Sequence, residues 1–124
     1  MASRSCPCGL PGPYDACCGR YHAGPGGAPT AEALMRSRYS AFVRGDAAYL
    51  LRTWHPRTRP ATLDLDPGPR WTGLEILDTV GGSAFHTTGV VEFRASYRGG
   101  ALRERSTFER VDGAWVYVDG EFPA

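Results

Sequence analysis

The stretch that decides the fold runs from residue 71 to residue 119 and reads WTGLEILDTVGGSAFHTTGVVEFRASYRGGALRERSTFERVDGAWVYVD. It is rich in β-branched and aromatic residues, and three residue pairs typical of tight hairpin turns interrupt it. These pairs are Gly81-Gly82, Gly99-Gly100 and Asp112-Gly113. The pattern predicts an antiparallel meander of four strands, at residues 71–80, 84–97, 102–111 and 115–119.

The second of these strands alternates between apolar and polar residues, so one face is expected in the core and the other in water. Gly89 lies in the middle of this long strand and indicates a bulge or bend that curves the sheet. The predicted core face holds Phe85, Thr87, Val91, Phe93, Ala95 and Tyr97, and the predicted wet face holds His86, Thr88, Glu92, Arg94 and Ser96.

Two amphipathic helices precede the strands. Thr30 is a predicted N-cap of the first helix, Gly45 interrupts the pattern, and Asp46 can cap a second helix that Pro56 stops. Residues 57–69 show no periodicity and are expected to form a loop. Because the apolar concave face of a curved sheet must be covered, the pattern predicts an α+β cone with the helices in the concavity of the bent sheet.

Length, composition and charge exclude several classes of protein. The 124 residues are 42% hydrophobic, which suffices for one domain with a small appendage and is too much for a disordered chain. The formal net charge of +1 does not favour a nucleic-acid binder. The sequence has no apolar run of about 18 residues and no apolar leader, and we therefore expect a cytoplasmic protein without a membrane span.

Four cysteines lie within the first eighteen residues, as Cys6-x-Cys8 and, after eight residues, Cys17-Cys18. In a reducing compartment such a cluster favours metal ligands over disulfides, although two disulfides joining the first pair to the second remain an alternative. Four sulfur ligands predict one structural Zn²⁺ with no open position for catalysis. His22 follows four residues later and is an alternative ligand in a Cys3His set.

The segment CPCGLPGPYDACCGRYH, residues 6–22, resembles the SEC-C motif, the zinc knuckle best known from the SecA translocation ATPase. The spacing of the four ligand positions is the same, and Leu10 replaces the serine that usually follows the glycine. The resemblance implies Cys6, Cys8, Cys17 and Cys18 as zinc ligands. It also implies a binding role, because that knuckle is associated with contacts to chaperones, ribosomes and membrane surfaces.

The helical stretch ALMRSRYSAFVRGDAAYLLRTWHP, residues 33–56, resembles the bacterial YchJ-like family. That family joins a SEC-C knuckle to a domain of the nuclear-transport-factor-two-like superfamily, a cone fold also described as cystatin or ketosteroid-isomerase-like. Together with the glycine- and proline-rich AGPGGAP at residues 23–29, this predicts three parts. They are a knuckle at 1–24, a linker at 25–29 and a cone domain at 30–124.

Candidate binding residues of the cone are few. Tyr39, Trp54 and His55 could line its interior, although the end of a helix alone explains a structural His55. The first sixty residues hold eight arginines against three carboxylates, so Arg20, Arg36 and Arg38 could form a patch for an anion or an acidic partner. Exposed arginines on a helix face are the alternative explanation.

The sequence shows no catalytic pair, and whether the protein is an enzyme stays open. The favoured hypothesis is a zinc-binding module that binds another protein. One alternative is a small-molecule binder or enzyme that uses the cone interior. The other is association with RNA or the ribosome through the basic half, which the net charge does not support. A homodimer through the open sheet also remains open.

Overall fold

The computed structural model describes residues 5–24, 27–65 and 70–122. Within them the chain forms three α-helices followed by four β-strands, and a single 3-10 turn at Tyr14–Ala16 precedes the helices. The helices are α1 (Cys18–Ala23), α2 (Ala31–Arg44) and α3 (Ala47–Arg52). The strands are β1 (Trp71–Gly81), β2 (Thr88–Tyr97), β3 (Gly100–Val111) and β4 (Ala114–Glu121). The predicted α+β class is confirmed.

The four strands form one antiparallel sheet in the order β1-β2-β3-β4, so the predicted meander is confirmed. The strand predicted at 84–97 begins only at Thr88, and Phe85, assigned to the core face, is 96% exposed. The reason is a closed local turn: the backbone N–H of His86 donates to the Ser83 carbonyl oxygen, and the Ser83 hydroxyl contacts His86 Nδ1 at 2.7 Å. This turn takes up residues that the alternation had assigned to a strand.

Side-chain caps set the helix boundaries as predicted. The Thr30 hydroxyl accepts from the backbone N–H of Ala33 at 3.0 Å, and Gly45 ends α2 in the left-handed region with φ 73°. The Asp46 carboxylate accepts from the backbone N–H of Tyr49 at 3.1 Å and begins α3. Helix α3 ends at Arg52, earlier than Pro56, because the next residues pair with strand β4: the N–H of Tyr117 donates to the carbonyl of Thr53.

The core lies between helix α2 and the concave face of the sheet. Strand β2 contributes Val91, Phe93 and Ala95, which are buried as predicted from their shared parity. The other buried members of this cluster are Ala28, Ala31, Leu34, Met35, Tyr39, Phe108 and Trp115. Apolar burial of this extent is the main force that holds α2 on the sheet.

The bulge predicted at Gly89 is wrong, because β2 stays in register there with both of its neighbours. Register shifts occur instead in β1, between Trp71 and Gly73 and between Ile76 and Asp78, and at Thr107 and Phe108 of β3. Position 89 requires a glycine for a different reason. A Cβ atom on it would lie 2.6 Å from the Cα of Gly82 and 3.1 Å from the Cβ of Ala31, where the start of α2 approaches the sheet.

The outer face of the sheet, which includes the predicted wet face of β2, carries a ladder of charges. Glu92 of β2 accepts from Arg103 and, at 3.0 Å, from Arg105 of β3, which also contacts Asp78 of β1 at 3.2 Å. The hydrogen bonds from Arg103 and Arg105 lower the pKa of Glu92. The two arginine side chains cover Glu92, so this carboxylate on the wet face is nevertheless shielded from water.

None of the helices in the described ranges has the length and apolar content needed to cross a bilayer. Residues 25 and 26 of the predicted linker lie outside those ranges, as do residues 1–4 of the predicted knuckle and residues 66–69, 123 and 124 of the predicted cone domain. The division into 1–24, 25–29 and 30–124 stays a prediction.

Candidate metal centre and cone cavity

A tight loop brings the first two cysteines together. Ser5 and Pro13 form an isolated antiparallel bridge, and inside it the N–H of Cys6 donates to the Gly12 carbonyl at 3.2 Å. The loop can reverse because Gly9 and Gly12 have φ of 92° and 118°, in the region that favours glycine. The 3-10 turn then leads directly to the second cysteine pair, at the start of α1.

The sulfur atoms of Cys6, Cys8, Cys17 and Cys18 all lie within 4.8 Å of one another. All four are free cysteines, and the sulfurs of Cys8 and Cys17 are 3.7 Å apart. A tetrahedral Zn²⁺ with Zn–S bonds of about 2.3 Å requires sulfurs about 3.8 Å apart. The four cysteines therefore fit a tetrahedral metal site, and the two-disulfide alternative is absent from the described residues.

The thiols of the cluster also influence one another. The hydrogen bond from Cys18, together with smaller contributions from other groups, lowers the pKa of Cys8 to about 5, although burial opposes this. The reciprocal contact with Cys8 raises the pKa of Cys18, and burial raises the pKa of Cys17 to about 11. One thiolate is thus stabilised by neighbouring S–H groups, whereas four thiolates at this spacing need a cation to offset their repulsion.

Helix α2 contacts the cysteine cluster on its buried side. The sulfur of Cys6 lies 3.6 Å from the hydroxyl oxygen of Ser40, and the guanidinium of Arg36 donates to the backbone carbonyl of Cys8 at 2.9 Å. Arg36 is held in turn by Glu32, one helical turn earlier, at 3.1 Å. The cysteine segment is therefore attached to the cone by its buried side, and its loop faces outward.

His22, the alternative ligand, lies beside the cluster and outside it. Its Nε2 is 2.8 Å from the carbonyl oxygen of Ser37, and its Nδ1 is 2.5 Å from the hydroxyl of Tyr14. Because a carbonyl oxygen only accepts, this network assigns the proton to Nε2 and makes Nδ1 the acceptor for Tyr14. Both ring nitrogens are thus occupied, and the structure gives His22 a supporting position.

The arginines predicted as a patch do not come together. Arg20 is exposed and stacks on Tyr21, 4.8 Å from its ring centre, while Arg36 contacts the knuckle and Arg38 is only 3% exposed, inside the cone. Residues 36 and 38 lie two positions apart on one helix and so point to different sides. The three side chains therefore do not form the predicted patch, because Arg38 is buried.

The interior of the cone is hollow. A cavity of about 270 Å³ lies between α2 and the sheet. Tyr39 and Trp54 line it, and His55 does not. The backbone N–H of His55 instead donates to the carbonyl oxygen of Tyr117, and its Nδ1 accepts from the N–H of Arg57 at 3.0 Å. These contacts give His55 a structural role. The lining residues are Met35, Arg38, Tyr39, Phe42, Trp54, Trp71, Phe93, Ala95, Leu102, Glu104, Ser106 and Tyr117.

Glu104 is a polar group of this cavity that the sequence analysis did not identify. Its Oε2 accepts from the hydroxyls of Ser106 at 2.6 Å and Tyr117 at 3.2 Å. Burial and then the charge of Glu104 raise the pKa of Tyr117, which keeps this hydroxyl protonated as a donor. The sequence holds a signal for this inward position, because Glu104 shares the parity of the buried Phe108 in the same strand.

Arg38 is the second polar group of the cavity, and it was expected on an exposed helix face. Its Nη1 donates to the Leu50 carbonyl at 2.8 Å and to the Thr53 hydroxyl at 2.7 Å. The guanidinium lies over the rings of Tyr117 and Trp54, 4.6 and 5.2 Å from their centres. Burial lowers the pKa of Arg38 to about 10, so the group is still a cation at neutral pH.

Comparison with known proteins agrees with both parts of the structure. Residues 30–120 match the family described as the YchJ middle NTF2-like domain. A UPF0225 protein of Streptomyces coelicolor is 77% identical over 122 residues, which cover 98% of each chain. A UPF0225 protein of Corynebacterium glutamicum is 52% identical, over 95% of this chain and 97% of that one.

Two solved structures resemble the whole arrangement. The solution structure of a SEC-C motif containing protein from Rhodopseudomonas palustris has a TM-score of 0.84 and 33% identity, over 98% of this chain and 100% of that one. The crystal structure of a SEC-C motif containing protein from Psychrobacter arcticus has a TM-score of 0.77 and 27% identity, over 98% and 84%.

Proposed function

The chain belongs to the YchJ-like UPF0225 family of proteins, and on that premise we propose that it is a cytoplasmic, non-enzymatic module whose zinc knuckle binds another protein. The knuckle is here the segment of residues 5–24, with the four clustered cysteines as ligands of one Zn²⁺. The metal rigidifies a segment that has little core of its own, and the cone serves as its support.

The donor set supports zinc. Four cysteine sulfurs in a tetrahedral arrangement select Zn²⁺ or iron, and protein atoms would fill every coordination position. A metal bound this way has no site for substrate or water, so its contribution is structural. Elemental analysis of the purified chain is expected to find one zinc per chain and a colourless protein. Iron with visible absorption would contradict the assignment.

The orientation of the knuckle is the observation that carries the binding role. Cys6, Cys8 and Cys18 are buried against α2, whereas the loop at residues 9–13 faces solvent and holds Leu10 41% exposed. Arg20 is exposed at the start of α1. An apolar side chain and an arginine on a segment that a metal holds in one conformation are the type of surface that protein interfaces use, because little backbone entropy is lost on binding.

The test is affinity capture with the full chain and two surface variants that keep all four cysteines. The double variant Leu10→Ser/Arg20→Glu alters the knuckle surface, and Val80→Ser, an exposed apolar residue of β1, is the matched control. We expect a defined protein partner to be lost with the double variant and retained with the control. The purified partner should then bind the purified chain directly, in the presence of nuclease.

Each alternative predicts a different outcome of the same experiment. Capture that is unchanged by the double variant contradicts a docking role for the knuckle. Capture that disappears with nuclease and weakens steeply with salt indicates RNA and contradicts a protein partner. Recovery of a second copy of this chain alone indicates a homodimer and likewise contradicts the adaptor role.

A further inference from the structure

The cavity of the cone has the size and surface of a small-ligand site. Ligand pockets in proteins typically enclose about 300–1,000 Å³, so a cavity of about 270 Å³ has room for a molecule of one or two rings. Its wall is mainly apolar and strongly aromatic, with Trp71, Phe93 and Tyr39 among its lining residues. Such rings favour an aromatic ligand, which they can contact face to edge.

Two residues at this cavity have hydrogen-bond donors that lack a partner among the described residues. The indole Nε1 of Trp54 is buried and makes no hydrogen bond there. Arg38 donates only through Nη1, to Leu50 and Thr53, and its Nε and Nη2 have no hydrogen bond within the described part of the chain. A buried donor without an acceptor costs about 1–3 kcal/mol, so an acceptor brought by a ligand would be favourable.

The charge of the cavity limits what that acceptor can be. Arg38 is a buried cation, and Glu104, the carboxylate of the same cavity, acts on it through its charge alone, because no ion pair joins the two among the described residues. Glu104 is already engaged by Ser106 and Tyr117. A single negative charge close to Arg38 would be stabilised, whereas Glu104 disfavours a second one, and Arg38 disfavours a cation.

We propose that the cone cavity binds a small aromatic monocarboxylate. Its carboxylate accepts hydrogen bonds from the free edge of Arg38 and from Nε1–H of Trp54, and its ring packs against Trp71 and Phe93. A planar carboxylate suits a guanidinium because two parallel N–H groups can meet its two oxygens. This ligand site is distinct from the surface of the knuckle and does not rest on the proposed partner binding.

The test is a calorimetric and NMR titration of the full, metal-loaded chain with benzoate and indole-3-acetate. Benzamide, benzylamine and benzyl phosphate serve as neutral, cationic and dianionic comparators of similar shape. We expect the two carboxylates to bind and to shift NMR signals of the cavity residues, with the three comparators at least about tenfold weaker, as expected when a charge-assisted pair is lost or opposed.

Two variants separate binding from folding. Trp54→Phe removes the unpaired N–H together with the five-membered ring and keeps a smaller aromatic side chain, so we expect a folded, somewhat less stable protein whose carboxylate affinity is about three- to tenfold lower, the value of one hydrogen bond. Arg38→Met should abolish carboxylate binding, with Arg44→Met, an exposed arginine of the same helix, as the control. Trp54→Phe keeps the test valid if Arg38→Met does not fold.

Three results would overturn the proposal. The first is an absence of binding by either carboxylate up to about 10 mM, where even a modest ligand efficiency for a one-ring compound should give saturation. The second is equal binding of benzamide or benzylamine, which would remove the role of the charge. The third is carboxylate binding that neither Trp54→Phe nor Arg38→Met weakens, which would place the ligand elsewhere.

Discussion

The imidazole of His22 connects the knuckle to the cone through one hydrogen bond, from its Nε2 to the backbone carbonyl oxygen of Ser37 at 2.8 Å. On the other side of the ring, Nδ1 contacts the Tyr14 hydroxyl, and the Tyr49 ring packs against the imidazole at a tilt, with 4.5 Å between ring centres. The carbonyl of Ser37 belongs to helix α2, so His22 joins two segments that the chain places fifteen residues apart.

His22→Ala is therefore expected to weaken the attachment of the knuckle without removing its metal. The loss of two partly buried hydrogen bonds should lower the free energy of unfolding by about 1–3 kcal/mol. Urea unfolding with elemental analysis of the same samples checks both parts, and His86→Ala, at an exposed histidine, is the control. A metal-free His22→Ala protein would show that His22 is a ligand.

Removing the metal with a chelator is expected to unfold the knuckle and leave the cone folded. The buried apolar side chains of the knuckle are three of its own ligands, Cys6, Cys8 and Cys18, which cluster with Tyr14 and Cys17. Without the metal that core cannot offset the conformational entropy of the segment. Hydrogen exchange should show lost protection in residues 5–24.

Strand β2, in the main core, is the internal reference for that experiment, and its protection should persist. Cys8→Ser should reproduce the effect of the chelator without any chelator present. Equal protection of the knuckle with and without metal would contradict a structural role for the ion.

Gly89→Ala is expected to destabilise the protein by about 1–3 kcal/mol, the usual cost of overpacking a well-filled site. The new methyl group would lie 2.6 Å from the Cα of Gly82 and 3.1 Å from Ala31, and backbone atoms cannot move aside cheaply. Gly73→Ala in strand β1 is the matched control, because nothing lies within 4 Å of its added Cβ atom. Thermal unfolding of the two variants should differ clearly, and similar melting temperatures would contradict the close approach.

Glu92 should make stability depend on pH. Arg103 and Arg105 lower its pKa in the folded state below the ordinary 4.5, so its contribution is present above that value. The contribution is lost as the pH falls through the lower, folded-state pKa. Glu92→Gln should therefore be less stable than the wild type at pH 7, and the difference should shrink in acid. Glu75→Gln, at a more exposed carboxylate, should show a smaller effect, and equal pH profiles would contradict the prediction.

The local signals of the sequence predicted the fold well because each acts over a few residues. The caps at Thr30 and Asp46 are backbone N–H acceptors with a fixed offset, and the turn at Asp112 and Gly113 needs positive φ at both positions. The cysteine cluster could be predicted for the same reason, since its spacing is local. These features depend on chain geometry more than on distant packing.

The polar groups of the cavity could not be predicted in the same way. Arg38 lies on α2 and Glu104 on β3, and only the packing of helix on sheet brings both into the wall of one hollow. A charged residue is usually solvated, so the shared parity of Glu104 and the buried Phe108 in β3 is a weak signal for a buried carboxylate. The burial of these charges depends on the shape of a cavity that no local pattern records.

The order of the elements along the chain has a consequence for synthesis. Each strand pairs with the strand that precedes it, so the sheet can form by successive hairpins with short loops to close. Helix α2, however, leaves the ribosome before any strand it will pack on. At that moment the knuckle is already synthesised, and Ser40 and Arg36 of α2 can contact it. If the nascent segment binds its metal at this stage, α2 gains its first tertiary contacts. The apolar face of α2 is then exposed to solvent for a shorter time.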